Sequence, residues 1–174
     1  MTKPTKLDWA RLAAYIDGEG AILINRSFWA NKGWQKIWLR LNVTNTDPRL
    51  PQWCKKTFGV GNVNLSDRRR KPQHRQSFRW DVSSRQAETI LRGCLPWFLI
   101  KKEEAEIALA FQETLGGPGR IVSQETWEKR ELLRQQLHAR KRITPLYDSS
   151  LARRVLPRKR GPKPHGDQIS QTIQ

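Results

Sequence analysis

Asp17 and Glu19 are two carboxylates separated by a single glycine, at the point where a run of small apolar residues stops. Carboxylates held at such a corner can ligate a hard divalent cation, and a cation so held can activate water. The stretch reads Leu12-Ala13-Ala14-Tyr15-Ile16-Asp17-Gly18-Glu19-Gly20-Ala21. Upstream, Asp8 is the expected N-cap of a helix over 8–17. Downstream, Ile22 and Ile24 alternate with polar residues, as in a strand. Ala10, Ala14 and Gly18 lie four residues apart on one helical face, with Ala13 beside them. Small residues at that spacing let a second helix approach closely. A self-complementary face of this kind makes a twofold dimer and brings two copies of each carboxylate together. The same pattern also fits an ordinary amphipathic helix with a glycine C-cap and two solvated acids.

Charge narrows the choice. The chain has 174 residues, with 33 basic side chains against 16 acidic ones and a formal net charge of +17. That excess favours a polyanionic partner, most simply a nucleic acid. No basic amphipathic helix dominates, and no apolar run is long enough to span a bilayer, so a membrane is not the expected partner. The N-terminal residues lack the apolar core of a secretion signal, and an intracellular setting is expected, either bacterial cytoplasm or an organelle. Cys54 and Cys94 are isolated, which suits buried thiols in a reducing compartment rather than a zinc site. His74, His138 and His165 are too scattered for a histidine-based nuclease motif.

The elements that must position the acids follow from periodicity. Strands are expected over 20–29 and 35–45, joined by a turn over 30–34. In the second, Ile37, Leu39, Leu41 and Val43 face one way, and Lys36, Trp38, Arg40, Asn42 and Thr44 the other. Thr46-Asp47-Pro48 starts a helix over 49–58, which Gly59 stops. A second strand pair over 60–66 and 77–83 brackets an exposed basic loop. Helices are expected over 85–94, 101–115 and 123–142, and a basic tail, partly disordered, from 143 to 174. Residues 1–142 then form one domain with its core over 8–115. The fold class is α+β: an αββαββα core with a four-stranded antiparallel sheet and helices on one face. An uncovered sheet face is normally polar, and here it would be basic and asparagine-rich. Most of the eight tryptophans are expected in the core, including Trp53, Trp80 and Trp97. Trp38 points the other way.

The segment LAAYIDGEG resembles the motif of the LAGLIDADG homing endonucleases, and the element order is similar to theirs, with a saddle-shaped sheet that sits in the major groove. The resemblance covers roughly 8–115. It implies a site-specific nuclease that uses Mg2+, with Mn2+ or Ca2+ able to occupy the same site. Glu19 stands at the position of the metal-ligating acid, where Asp is commoner, and Gly18 would offer its backbone carbonyl. Asp17 is a further candidate ligand, or a brace for the helix end. Asn45 stands where a glutamine is frequent and Arg49 where a basic residue is frequent. The segment over 95–103 resembles the one carrying the active-site lysine, which would be Lys101, with Lys102 the alternative one residue on. One motif per chain implies a homodimer cutting a long, nearly palindromic duplex and leaving short 3′ overhangs. The resemblance implies no small-molecule substrate. Such a gene would be intron-encoded and mobile.

Strand parity assigns the DNA face. Leu23, Asn25 and Ser27 join Lys36, Trp38, Arg40, Asn42 and Thr44 from the first pair. Asn62, Asn64, Ser66, Arg68, Ser77, Arg79 and Asp81 come from the second. Arginine suits guanine and asparagine suits adenine. Arg69, Arg70, Lys71, His74 and Arg75 in the loop suit phosphates. Two rivals share the fold: an RNA-binding intron maturase and a non-catalytic DNA-binding regulator.

Overall fold

The computed structural model describes residues 3–29, 34–66, 75–116 and 122–141, all within one compact unit, Met1–Ile143. In chain order the elements are α1 (Lys6–Glu19), β1 (Gly20–Trp29), β2 (Trp34–Asn45), α2 (Arg49–Phe58), β3 (Asn62–Ser66) and β4 (Ser77–Ser83). Then come α3 (Ser84–Cys94), a 3-10 turn (Leu95–Trp97), α4 (Lys102–Glu113) and α5 (Gln124–Arg140). The αββαββα core is therefore present, and α5 follows it.

Helix α1 starts earlier than its apolar run suggests. Thr5, not Asp8, is the N-cap. The Thr5 side chain accepts from the Asp8 backbone N–H at 3.2 Å, and the Asp8 carboxylate accepts from the Thr5 N–H at 2.9 Å. This reciprocal capping box satisfies two otherwise orphan donors. Asp8 is thus the third helical residue, and the two Thr5 contacts hold its carboxyl below the usual range. The helix then continues through Glu19, past the expected end at 17. Gly20 turns the chain straight into β1 with no intervening loop. A Cβ at Gly20 would sit 2.7 Å from the Ile16 Cα and 2.8 Å from its carbonyl oxygen. Only glycine fits so tight a junction.

All four strands are antiparallel, in the order β1-β2-β4-β3. The register puts Ile22 opposite Leu41, Leu41 opposite Val82, and Val43 opposite Trp80. These side chains form the buried face, together with Ile24, Ile37 and Leu39. Against it pack Leu12, Ala13 and Ile16 of α1, Ile90 and Leu91 of α3, and Ala108 and Phe111 of α4. Leu137 of α5 enters the same core, and the buried Arg130 ties α5 to α4 by donating to the Thr114 carbonyl at 2.7 Å. An aromatic chain joins three elements: Trp9 to Phe58 at 4.8 Å, Phe58 to Trp53 at 5.8 Å and Phe58 to Trp80 at 6.3 Å between centroids. The buried Trp80 indole donates to the Val60 carbonyl at 2.9 Å, so its polar atom is satisfied. Gly59 caps α2 in the left-handed region at φ 70°.

One expectation about the core is corrected. Trp97 is 44% exposed, because it closes a 3-10 turn instead of lying on a helical face. Leu65 has core-side parity but stays half exposed, since β3 is an edge strand.

Cys54 and Cys94 are free and buried. Burial pushes the Cys54 thiol up to about 12. It pushes Cys94 up as well, and the neighbouring Cys54 and Asp17 add to the shift. Only the thiolate is nucleophilic. At pH 8, iodoacetamide should therefore modify neither cysteine of the native protein and both in denaturant, as read by intact mass. Modification of the native chain would contradict this packing.

Candidate functional site

The site begins at the C-terminal turn of α1. That turn holds two acids, Asp17 and Glu19, and no basic residue of its own. Acids there face the negative end of the helix dipole, an unfavourable placement. A second segment compensates. The Asp17 carboxylate accepts from the Leu99 backbone N–H at 2.9 Å through one oxygen and from the Lys101 N–H at 2.9 Å through the other. In return, the Lys101 amine donates to the Ile16 carbonyl at 2.8 Å and to the Asp17 carbonyl. Of the two adjacent lysines, Lys101 is the one brought to the motif, whereas Lys102 opens α4 and is exposed.

Asp17 is thus engaged as a brace. Glu19 differs: its side chain is exposed, and no hydrogen bond or ion pair to it occurs among the described residues. Gly18 is exposed too, and a Cβ there would meet nothing within 4 Å. Among the described residues, no three His, Cys, Asp or Glu side chains gather closely enough to hold an ion. Of the motif's two acids, one carboxylate, Glu19, is left without a protein partner among the described residues, beside adjacent backbone carbonyls. These are oxygen donors of the kind Mg2+ and Ca2+ prefer.

A lysine that sequence reasoning missed also reaches this corner. Lys141, just past α5, donates from its amine to the Ile22 carbonyl of β1. Burial lowers its pKa, with Glu104 opposing and Lys101 adding to the shift. Lys141 was obscured by its setting, one of several cations at the start of a basic tail.

Asn45 and Arg49 lie near the same end of the sheet. Gly20 pairs with Val43, so Asn45 lies two residues, or about 7 Å, further along β2 than the helix–strand junction. Asn45 accepts from the Asp47 N–H at 2.8 Å. Arg49 folds back onto Asp47 at 2.5 Å, and that contact holds the Asp47 carboxyl down at about 2. The pair is exposed and adds little stability. Together with Arg11, Tyr15 and Trp53, these residues line an open cleft beside α1.

The uncovered sheet face carries the residues that parity assigns to it. Leu23 pairs with Arg40, Asn25 with Trp38, and Ser27 with Lys36. Asn42 pairs with Asp81, and Thr44 with Arg79. Asn62 pairs with Asp81, Asn64 with Arg79, and Ser66 with Ser77. None of them is buried. Trp38 lies under the Lys36 amine at 5.7 Å from the ring centroid. Arg75 is exposed, whereas Arg68, Arg69, Arg70, Lys71 and His74 lie outside the described residues.

On α1, Ala10, Ala14 and Gly18 remain accessible, beside the exposed Leu7 and Tyr15. Ala13 does not belong to that surface. It is fully buried in the chain's own core, because position 13 falls on the helical face shared with Ile16. The exposed apolar residues Trp97, Leu99 and Ile100 adjoin the Asp17 brace.

This arrangement of helices, sheet and motif is the fold of the LAGLIDADG homing endonucleases. It is shared with the homing endonuclease I-CvuI in complex with its target, at a TM-score of 0.64 and 17% identity over 80% of this chain and 85% of that one. The archaeal intron-encoded I-Vdi141I, complexed with DNA, matches at 0.65 with 12% identity over 79% and 86%. I-SmaMI bound to its uncleaved DNA target matches at 0.61 with 18% identity, over 97% of this chain and 55% of that one. No family model and no curated protein matches by sequence.

Removing the Asp17 carboxylate leaves two backbone donors without their acceptor. Asp17→Ala should therefore cost about 1–2 kcal/mol in urea unfolding, after partial relief at the helix end, and Asp17→Asn about half of that. An unchanged midpoint for both variants would show that the brace contributes nothing.

Proposed function

We propose that this chain is a metal-dependent DNA endonuclease of the LAGLIDADG type, acting as a homodimer on a long, nearly palindromic duplex. One observation carries the reading. The only acid of the motif left without a protein partner among the described residues, Glu19, sits at the edge of an uncovered, polar and basic sheet face, next to an exposed stripe of small residues.

The roles follow from that placement. The open face would enter the major groove, where asparagine and arginine side chains address base edges. The net charge of +17 supplies sequence-independent attraction to phosphates, and the basic residues within 143–174 would add to it. Ala10, Ala14 and Gly18 would let α1 pack against its copy, so that two Glu19 carboxylates converge near the twofold axis. Glu19 and the Gly18 carbonyl would hold a divalent ion, Mg2+ in use, with Mn2+ or Ca2+ accepted. When bound, the ion activates water and stabilises the leaving oxygen. Lys101 would fix the carbonyls beside the scissile phosphate and set its own positive charge near developing negative charge. Asn45 would orient water from the end of β2, and Arg49 would offer its guanidinium to the backbone. The structural neighbours support a duplex DNA partner, since I-CvuI and I-SmaMI are both held on DNA with divalent ions.

The first test is selection of cut duplexes from a randomised, pseudo-palindromic library with Mg2+, beside an EDTA control. Recovery of a twofold-related site only with metal is the expected result. Selective retention of uncut duplex would favour the regulator, and retention of structured RNA the maturase. Glu19→Gln should abolish cleavage and leave DNA affinity within about tenfold, because the attraction comes from the basic face. Normal cutting by this variant would remove Glu19 from the metal site. Gly18→Leu has room in one chain but not between two close helices. It should sediment as a monomer, and an intact dimer would place the interface elsewhere.

A further inference from the structure

Among its described residues, the sheet face proposed to read DNA contains one acid, Asp81, among its cations. It lies in the middle of the sheet, opposite Asn42 on one side and Asn62 on the other. Arg40 donates to Asp81 Oδ1 from Nε at 2.9 Å and approaches the same oxygen with Nη2 at 2.7 Å. Arg79 donates from Nε to Asp81 Oδ2 at 2.7 Å. One carboxylate therefore gathers two guanidinium groups, one at each oxygen.

The register makes this convergence informative. Arg40 pairs with Ser83 and Arg79 with Thr44, so the two arginines lie in rows on opposite sides of Asp81. Those rows are four residues apart along the strands, roughly 13 Å. Two like charges would splay apart on an open sheet, yet both lean inward onto the carboxylate. The acid orders two long side chains whose immobilisation would otherwise be charged to binding. The anchoring uses Nε of both and one outer nitrogen of Arg40. Arg40 Nη1 and both outer nitrogens of Arg79 have no protein partner among the described residues. Both arginines line a depression of about 280 Å3, together with Trp38, Asn62 and Asn64.

Charge decides what this trio suits. Two arginines and one aspartate carry a net +1, and the acid repels any phosphate brought to its side. A guanine edge is uncharged and offers two acceptors to a guanidinium in the major groove. Building on the DNA-reading function above, we propose that Asp81 is a specificity-determining positioning residue. It holds Arg40 and Arg79 as a pre-ordered pair that reads guanine at two positions of each half-site.

The test is binding selection on a duplex library by the full chain carrying Glu19→Gln, so that sites are retained uncut. The parent should select guanine at two half-site positions. Arg40→Ala should relax one of them and Arg79→Ala the other, by about tenfold or more each. Asp81→Asn, which preserves shape, and Asp81→Ala should each relax both. Affinity for random duplex should hold or rise, with a steeper salt dependence, because a negative charge has left the face. Matched thermal melting and far-ultraviolet circular dichroism establish that each variant folds. Unchanged guanine preference in both Asp81 variants would overturn the proposal and reduce the acid to a charge on the surface. Relaxation at a third position, unaffected by either arginine variant, would also overturn it and make Asp81 a direct reader. A uniform loss across all sequences in the arginine variants would make them phosphate contacts, against the proposal. A parent that selects no duplex sequence overturns the DNA-reading premise itself, and this assignment with it.

Discussion

The reciprocal clamp between Asp17 and the 99–101 segment is the contact on which the site depends. A helix that runs straight into a strand leaves its last carbonyls pointing at the turn, with no room for a capping loop. Here the cap is supplied from 84 residues away, by the Lys101 amine on two carbonyls and by Asp17 on two backbone N–H groups. Each half makes the other tolerable. The acid would be unfavourable at that helix end without the lysine beside it, and the lysine would lose most of its partners without the exposed carbonyls. The clamp also explains why two acids one residue apart have different fates. Asp17 is consumed in joining α1 to the segment before α4, and Glu19 is left facing outward.

The sheet was largely legible in the chain because burial on one face makes register unambiguous. A slip of one residue would move Ile37, Leu39, Leu41 and Val43 to the open side, so alternation alone fixes which residues remain there. The same logic read Gly59 as a helix stop. It failed where a choice depended on tertiary partners. Asp8 is a good N-cap type, but Thr5-Lys6-Leu7-Asp8 is also a capping box, and Leu7 can extend the helix because that turn is solvent-facing. Ala13 satisfies a small-residue pattern as well as Ala14 does, and only the position of the sheet decides which of them is buried. Lys141 and the convergence on Asp81 had no signal in linear spacing, since each joins elements distant in the chain.

The charge distribution separates two tasks that a basic protein must keep apart. Attraction to a polyanion needs surplus cations, which the net charge of +17 supplies. Discrimination needs cations that do not move, and these are tethered: Arg40 and Arg79 to Asp81, Lys36 over Trp38. An untethered arginine on the sheet would lean toward the nearest phosphate and blur whatever it reads. An acid on the face therefore lowers total attraction while raising selectivity, the trade expected where specificity is a difference between affinities.

One partner-free carboxylate in each copy of the motif, Glu19, gives the proposed dimer its logic. One exposed Glu19 with neighbouring carbonyls is a weak site for a divalent ion, because Mg2+ and Ca2+ require six or more oxygen ligands and give up water reluctantly. Two copies brought together near an axis would double the charge and the donors. Double-strand hydrolysis itself has twofold symmetry, so the same axis would serve both strands. This links metal affinity to the contact between chains: whatever loosens α1 against its copy also dilutes the carboxylates. Small residues at 10, 14 and 18 are then a requirement of the chemistry as much as of packing, because each added methylene on that face would move the two acids apart.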